Sequence, residues 1–361
     1  MKLPHANKLS SGRWRVQTTV DGKRISVTAD TKTEAESKAM LLKLRQNGSS
    51  KDRKNAASGM TLSQLIDLYI GDTEEALSPS TVASYRKMQK YRFKSIMNAP
   101  VSEDTNWQYI VSQEAKVHVV RVYKDRVIET NKILSPKTIK NAWGLVETVL
   151  KYFNLPVPDI RLPKGIREEH AFLEPDEIRI FLKAIEGHRY ELPYLLCLHG
   201  LRRSEMIVIS KSNIIIPKAK GKKPYIRVRG AAVYDENNQL VEKDQNKTEL
   251  STRDVPVFVP RLLTLVEAMP DGKLCTANPN SLIHPLNALL RANDLPETGL
   301  QGLRHTMASL CYHLRVPTLV TKKWGGWSKK STVVETIYTH LARKDEADSL
   351  IKMEEFYKEF T

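Results

Sequence analysis

The spacing of apolar residues changes period along this chain, and each change forces a change of architecture. Between Arg13 and Thr28 the residues alternate. Trp14, Val16, Thr18 and Val20 share one parity, Asp21-Gly22 makes a turn, and Ile25 and Val27 follow. Period 2 sends one parity to one face, so a β-hairpin is expected. Thr31 then precedes a run in which Ala35, Ala39, Leu42 and Leu41 recur at helical spacing. Residues 1–50 therefore predict a small ββα-like module. Residues 47–58, rich in Gly, Ser, Lys, Asn and Ala without apolar period, read as a tether, with a linker at 51–59.

From Thr61 the period becomes helical. Leu62, Leu65, Ile66 and Tyr69 fit one helix, and Ser78-Pro79 starts another bearing Tyr85, Met88 and Tyr91. Ser135-Pro136, a favoured N-cap and first-turn pair, opens a third helix through Ile139, Trp143, Val146 and Leu150 to about Phe153. The stretch Val117 to Ile133 instead alternates around Lys124-Asp125, which predicts an inserted hairpin without an assigned role. Residues 60–160 are thus expected to form an all-α domain. After a Pro-marked segment, residues 168–361 mix helices with a β-rich centre, Ile214 to Val259, carrying an Asp235 to Asn238 turn. The fold class expected is multidomain α+β. At 361 residues, and roughly one domain per 150, two or three domains are also what length allows.

Charge narrows the partner. Lys and Arg number 57 against 41 Asp and Glu, a net of +16, which points to an anionic partner, most simply nucleic acid. Residues 1–54 hold 13 basic and 5 acidic residues, half of that excess in about a seventh of the chain. Cys197, Cys275 and Cys311 are odd in number and far apart, so neither disulfides nor a zinc site is expected, and a reducing cytoplasm fits. No apolar signal core opens the sequence and no apolar run approaches the ~18 residues that span a bilayer, so no membrane association is expected.

Four segments carry chemistry. The first is His199-Gly200-Leu201-Arg202-Arg203-Ser204-Glu205-Met206, where a guanidinium, a planar fork matched to phosphate oxygens, stands one helical turn from a carboxylate. In the second, Gln301-Gly302-Leu303-Arg304-His305-Thr306, Gln301 and Arg304 fall on one helix face and His305 about 100° away. The third is Gly325-Gly326-Trp327 followed by Thr336-Ile337-Tyr338-Thr339-His340. The fourth is Asn246-Lys247-Thr248 ahead of Ser251-Thr252-Arg253-Asp254-Val255-Pro256.

These segments resemble, in order and over about 140 residues, the GLRxSE, HxLRHT, GH…YTH and KTxxSxRxvP stretches of the tyrosine recombinases of the phage-integrase kind. The resemblance implies that Arg202 and Arg304 clamp the scissile phosphate, spreading the charge that builds on its oxygens in the transition state. Glu205 would brace Arg202, with His305 and His340 in support. Lys247 would be the general acid for the departing 5′-oxygen. Trp327 stands where relatives carry histidine or tryptophan, and its indole N–H can donate to a phosphate oxygen. Tyr338 would be the nucleophile. A free tyrosine has a pKa of about 10 and attacks poorly, so the two arginines are expected to favour its phenolate. The chain departs from the family at Gln301, where histidine is usual. Glutamine donates a hydrogen bond but cannot shuttle a proton, so a bond to the phosphate or a neighbour is all that is expected there.

The same resemblance implies an arm-binding domain (1–50), a SAM-like core-binding domain (60–160) and a catalytic domain (168–361). Arg13, Arg15, Lys23 and Arg24 are candidates for reading bases, since a two-stranded ribbon fits the major groove. The activity implied is integration or excision of a mobile element or prophage through a 3′-phosphotyrosyl intermediate, without metal, ATP or other cofactor. The implied partners are double-stranded DNA at core and arm sites, three further copies in a synaptic homotetramer, a DNA-bending accessory protein and an excisionase, in the cytoplasm at the nucleoid. The alternatives are a catalytically weak DNA-binding regulator with the same clamp and a type IB topoisomerase-like enzyme.

Overall fold

The computed structural model describes all residues except 1–4, 21–22, 47–52, 55–56, 58, 124–125, 166–170, 244–251, 345–352, 354, 356–357 and 359–361. The chain divides into two compact units, residues 1–167 with 234–239, and residues 168–233 with 240–361. Its organisation is mixed α+β, as the change of period predicts.

The first unit begins with an antiparallel sheet of β1 (Asn7–Lys8), β2 (Trp14–Val20) and β3 (Lys23–Ala29), covered on one face by α1 (Lys32–Gln46). Alternation explains the packing. Val16 faces Val27 across the ladder, and both join Ala6, Ala29, Ala35 and Ala39 in a small apolar cluster. Arg15, Gln17 and Arg24 fall on the opposite parity and are exposed. Lys23, paired with Val20, instead takes the helix-side register at the ribbon tip, so the four candidate base-reading residues do not share one face. Of residues 51–59, Arg53, Lys54 and Ala57 are helical. Ala57 is buried with the helical core and the Arg53 guanidinium lies 4.4 Å from the Tyr152 ring centroid.

The rest of this unit is α2 (Leu62–Thr73), α3 (Pro79–Tyr91), the short α4 (Lys94–Met97), α5 (Trp107–Glu114) and α6 (Pro136–Tyr152). Their starts are set locally. Thr61 and Gln64 exchange side-chain-to-backbone hydrogen bonds, and Ser78 and Ser135 each cap a helix that opens with proline. The apolar stripes meet in one core, where Trp107 and Trp143 stand edge to face at 5.5 Å. The inserted hairpin is present as β4 (His118–Tyr123) and β5 (Arg126–Ile133), with an irregularity in register between His118 and Val120.

The second unit is built around α8 (Glu191–Leu198), every residue of which is buried. Around it lie α7 (Pro175–Ala184), α10 (Arg261–Ala268), α11 (Ile283–Ala292) and α12 (Leu300–His313). A short α9 (Arg203–Met206) follows α8. The β-rich centre is a three-stranded antiparallel sheet in the order β10 (Arg253–Pro256), β7 (Tyr225–Val228), β6 (Ile214–Ile215), with a ribbon of β8 (Ala231–Tyr234) and β9 (Leu240–Lys243). Helices α13 (Thr318–Gly325) and α14 (Val333–Lys344) pack against α12 through a second cluster of Met307, Ala308, Cys311, Trp327, Val334, Ile337 and Leu341. Among the described residues no helix is long and apolar enough to cross a membrane.

Candidate active site

Two glycine-ended helices create the acceptors on which the site is hung. At the end of α8, Gly200 takes a left-handed φ of +84°, its N–H reaches the Cys197 carbonyl at 2.9 Å, and the Leu201 N–H reaches Leu196 at 3.3 Å. At the end of α13, Gly326 takes φ +64°, its N–H reaches Lys323 at 3.2 Å and the Trp327 N–H reaches Lys322 at 2.9 Å. Both are Schellman closures, in which a residue with no Cβ reverses the chain and leaves its own carbonyl free to point elsewhere. The Gly200 carbonyl accepts from Arg304 Nη1 at 2.5 Å and from Arg253 Nη2 at 3.2 Å. The Gly326 carbonyl accepts from Arg202 Nη2 at 2.5 Å.

A single carboxylate stands among these arginines. Glu205, 1 % exposed, accepts from the backbone N–H of Arg202 at 2.8 Å and from Arg202 Nη1 at 2.6 Å. Arg253 donates to both of its oxygens, at 3.0 and 2.9 Å, and Arg304 Nη1 lies 4.0 Å away. Burial by itself would raise the Glu205 carboxyl, but the hydrogen bond and charge of Arg253, then the charge of Arg202, outweigh it and hold the group at about 2. Among the described residues, three guanidiniums thus share the carboxylate of Glu205.

Arg304 is the most deeply buried of the three. It is 1 % exposed, its guanidinium carbon sits 4.2 Å from the Trp327 ring centroid, and its Nε has no hydrogen-bond partner among the described residues. Burial, then the charge of Arg202, presses its pKa well below the ordinary value, with Glu205 opposing. Arg202, with 35 % of its side chain exposed, is the member of the set open to solvent. An anion arriving beside Arg202 would lower the energy of the whole cluster, and a phosphate has the geometry for it.

The other sequence-predicted residues are placed differently. Trp327 is buried with the face of its ring against Arg304. Gln301 is exposed at the start of α12, and His305 is buried. Tyr338 is half-buried on α14; its hydroxyl shares a hydrogen bond with Thr321 Oγ1 at 3.0 Å and its ring lies 5.1 Å from that of Tyr312. Burial raises its pKa, the Thr321 bond opposes, and the nearby Cys311 and Glu335 raise it further. Lys247 and the side chain of His340 lie outside the described residues.

Two contributors were missed from sequence. Arg253 binds Glu205, the Gly200 carbonyl and, through Nε, the Trp324 carbonyl at 2.6 Å. It occupies the inward parity of β10 with Val255 while Asp254 faces out, and a charged residue in an inward register was the available signal. Thr321, fully buried on α13, left no comparable mark in the sequence.

No protein-family model matches the chain, and no curated protein matches it in sequence. Solved structures do match it in shape. The Tn1549 transposon integrase in complex with circular intermediate DNA superposes with a TM-score of 0.56 at 15 % identity, over 81 % of this chain and 100 % of that one. A lambda integrase dimer bound to a COC′ core site gives 0.50 at 13 % identity, over 93 % and 94 %. The chain has the tyrosine-recombinase fold. The site-specific recombinase XerH bound to palindromic difH substrate, at 0.50 and 17 % identity over 81 % and 85 %, agrees with that. In this recombinase fold the arginine cluster and Tyr338 both belong to the second unit, on α8 to α9, β10 and α12 to α14.

Proposed function

We propose that this chain is a site-specific DNA recombinase that cuts and rejoins strands through Tyr338, in the integration or excision of a mobile element or prophage. The observation that carries the reading is the cluster of Arg202, Arg253 and Arg304 around the carboxylate of Glu205, with Arg202 open to solvent, within a recombinase fold. In the proposed reaction Arg202 and Arg304 hold the non-bridging oxygens of the scissile phosphate. Tyr338 loses its proton to solvent, its oxygen bonds to phosphorus as the bond to the 5′-oxygen breaks, and Lys247 gives that oxygen its proton. The 5′-hydroxyl of a partner duplex then displaces Tyr338, so the phosphodiester is conserved and the proposal needs neither metal nor ATP. Tyr338 must first exchange its Thr321 partner for the phosphate.

The finer organisation is part of the proposal: an arm-binding domain at 1–50 with Arg13, Arg15, Lys23 and Arg24 towards DNA, a linker at 51–59, a core-binding domain at 60–160, and a catalytic domain at 168–361. Double-stranded DNA at core and arm sites, a homotetrameric synapse, a DNA-bending protein and an excisionase are the partners that reading entails, and the nucleoid is where it would act. The hydrogen bond that engages the Tyr338 hydroxyl with Thr321 is what favours the second reading, a binding protein with the same clamp. One experiment separates them. Incubation with a nicked suicide duplex drawn from the sequence flanking the gene should give a covalent adduct on a denaturing gel, lost in Tyr338→Phe with binding retained. Site binding without an adduct would select the regulator.

A further inference from the structure

We infer that His199 is a positioning residue for the phosphate clamp, locking the end of α8 to the segment that follows strand β10 so that the Gly200 carbonyl stays aimed at Arg304 and Arg253. The inference rests on the recombinase reading for its rate measurement but on geometry for its content. His199 is completely buried and immediately precedes Gly200. Its Nδ1 lies 2.6 Å from the Leu195 carbonyl, which can only accept, so Nδ1 carries the hydrogen. Its Nε2 lies 2.9 Å from the Phe258 N–H and 3.3 Å from the Val259 N–H, both of which can only donate, so Nε2 carries none. The surroundings therefore admit one tautomer of the neutral ring, with every polar atom used. Burial also holds the imidazole down at about 4, against a weaker opposing effect of the Leu195 bond, so the ring stays neutral where the protein works.

Two routes lead from this ring to one guanidinium. Through the chain, His199 fixes the left-handed turn at Gly200, whose carbonyl binds Arg304 at 2.5 Å and Arg253 at 3.2 Å. Through space, the imidazole stacks on Phe258 at 5.2 Å and 6°, Phe258 lies 5.2 Å from Trp324, and the Trp324 carbonyl accepts from Arg253 Nε at 2.6 Å. A buried histidine that merely filled space would need neither the amides of Phe258 and Val259 nor a neighbour that holds the clamp. Here a ring acceptor ties the backbone after β10 to the end of α8, and the carbonyl next along the chain orients two of the three arginines.

The test compares His199→Phe, which keeps a ring against Phe258 and loses both polar functions, with His199→Gln, which offers an acceptor oxygen and a donor N–H on one planar group. Two quantities are measured on the full chain. The first is the ratio of affinities for a core-site duplex and for the same duplex with one neutral methylphosphonate at the scissile position, which reads the clamp whether or not chemistry occurs. The second is the single-turnover rate of adduct formation. His199→Phe should shrink the affinity ratio and slow the adduct step on the order of 10²-fold, the effect of a displacement of about 1 Å in a positioned site. His199→Gln should recover most of both, at a similar melting temperature. Wild-type discrimination and rate in His199→Phe, or equal losses in the two variants that follow their melting temperatures, would overturn the inference. A wild-type chain that discriminates between the duplexes yet forms no adduct would instead count against the recombinase reading, and the affinity ratio would still decide the role of His199.

Discussion

Replacing Glu205 by glutamine removes the carboxylate that binds Arg202 and Arg253 while keeping the side chain's shape. The size of the effect follows from its ionisation. A carboxyl held at about 2 in the folded chain in place of its ordinary 4.5 contributes about 3 kcal/mol of stability at neutral pH, at 1.36 kcal/mol per pH unit. Removal of one partner from a buried ion pair costs roughly the same, about 3 to 5 kcal/mol, because the other charge is left uncompensated. The folded pKa is depressed, so this contribution is complete above 4.5 and is lost as the pH falls from 4.5 towards 2. Glu205→Gln should therefore lie about 3 kcal/mol below wild type at pH 7, and the gap should shrink to about half at pH 3. A second replacement, Arg253→Met, should restore part of the loss, since it removes the stranded cation that had bonded both Glu205 oxygens. Urea unfolding curves at pH 7 and pH 3, read by hydrogen-exchange mass spectrometry on peptides from Glu191 to Met206 and from Leu300 to His313, report the second unit by itself. Equal stability of the two proteins at pH 7, or a gap that stays constant on acidification, would refute the reasoning.

Three further outcomes are expected. Trp327→Leu removes the ring 4.2 Å from the buried Arg304 guanidinium and should destabilise the second unit by at least about 2 kcal/mol in the same exchange measurement, with Trp327→Phe costing less. Gly326→Ala places a methyl 2.7 Å from Arg253 Nη1 at a left-handed backbone position, so it should lower the melting temperature and slow adduct formation together, whereas Gly221→Ala, also left-handed but with nothing within 4 Å, should affect stability alone. Arg15→Ala and Arg24→Ala should each weaken binding of the isolated arm duplex and reduce its log-log salt slope by about 0.9, while Lys23→Ala, on the helix-side register, should change the slope less.

What was legible in the sequence is what depends on neighbours in the chain. The alternation of Trp14, Val16 and Thr18 gives the hairpin, and the serine-proline pairs at Ser78 and Ser135 give helix starts, because both signals are complete within a few residues. Arg202 and Glu205 are likewise one turn apart, and their hydrogen bonds form locally. Arg253 was not legible as the second partner of Glu205, since the two are 48 residues apart and meet only once β10 pairs with β7 beside α8. The stacking of Trp327 on Arg304 has the same origin, a contact between α12 and the turn after α13 that no spacing announces. Tyr338 is the instructive case. Its residue type and place in the order marked it, but its hydroxyl partner, Thr321, comes from another helix and could not be read from the motif.

The central claim is that Tyr338 becomes joined to DNA, and mapping the covalent adduct tests it most directly. The full chain is trapped on the nicked duplex, digested with trypsin and nuclease, and the nucleotide-bearing peptide is sequenced by mass spectrometry, with the phosphate polarity read from which DNA end remains free. A phosphotyrosyl bond at Tyr338 through the 3′-phosphate, with a free 5′-hydroxyl, is the expected result. Attachment at the neighbouring Tyr312, attachment through a 5′-phosphate, or specific binding with no attached peptide at all would contradict it.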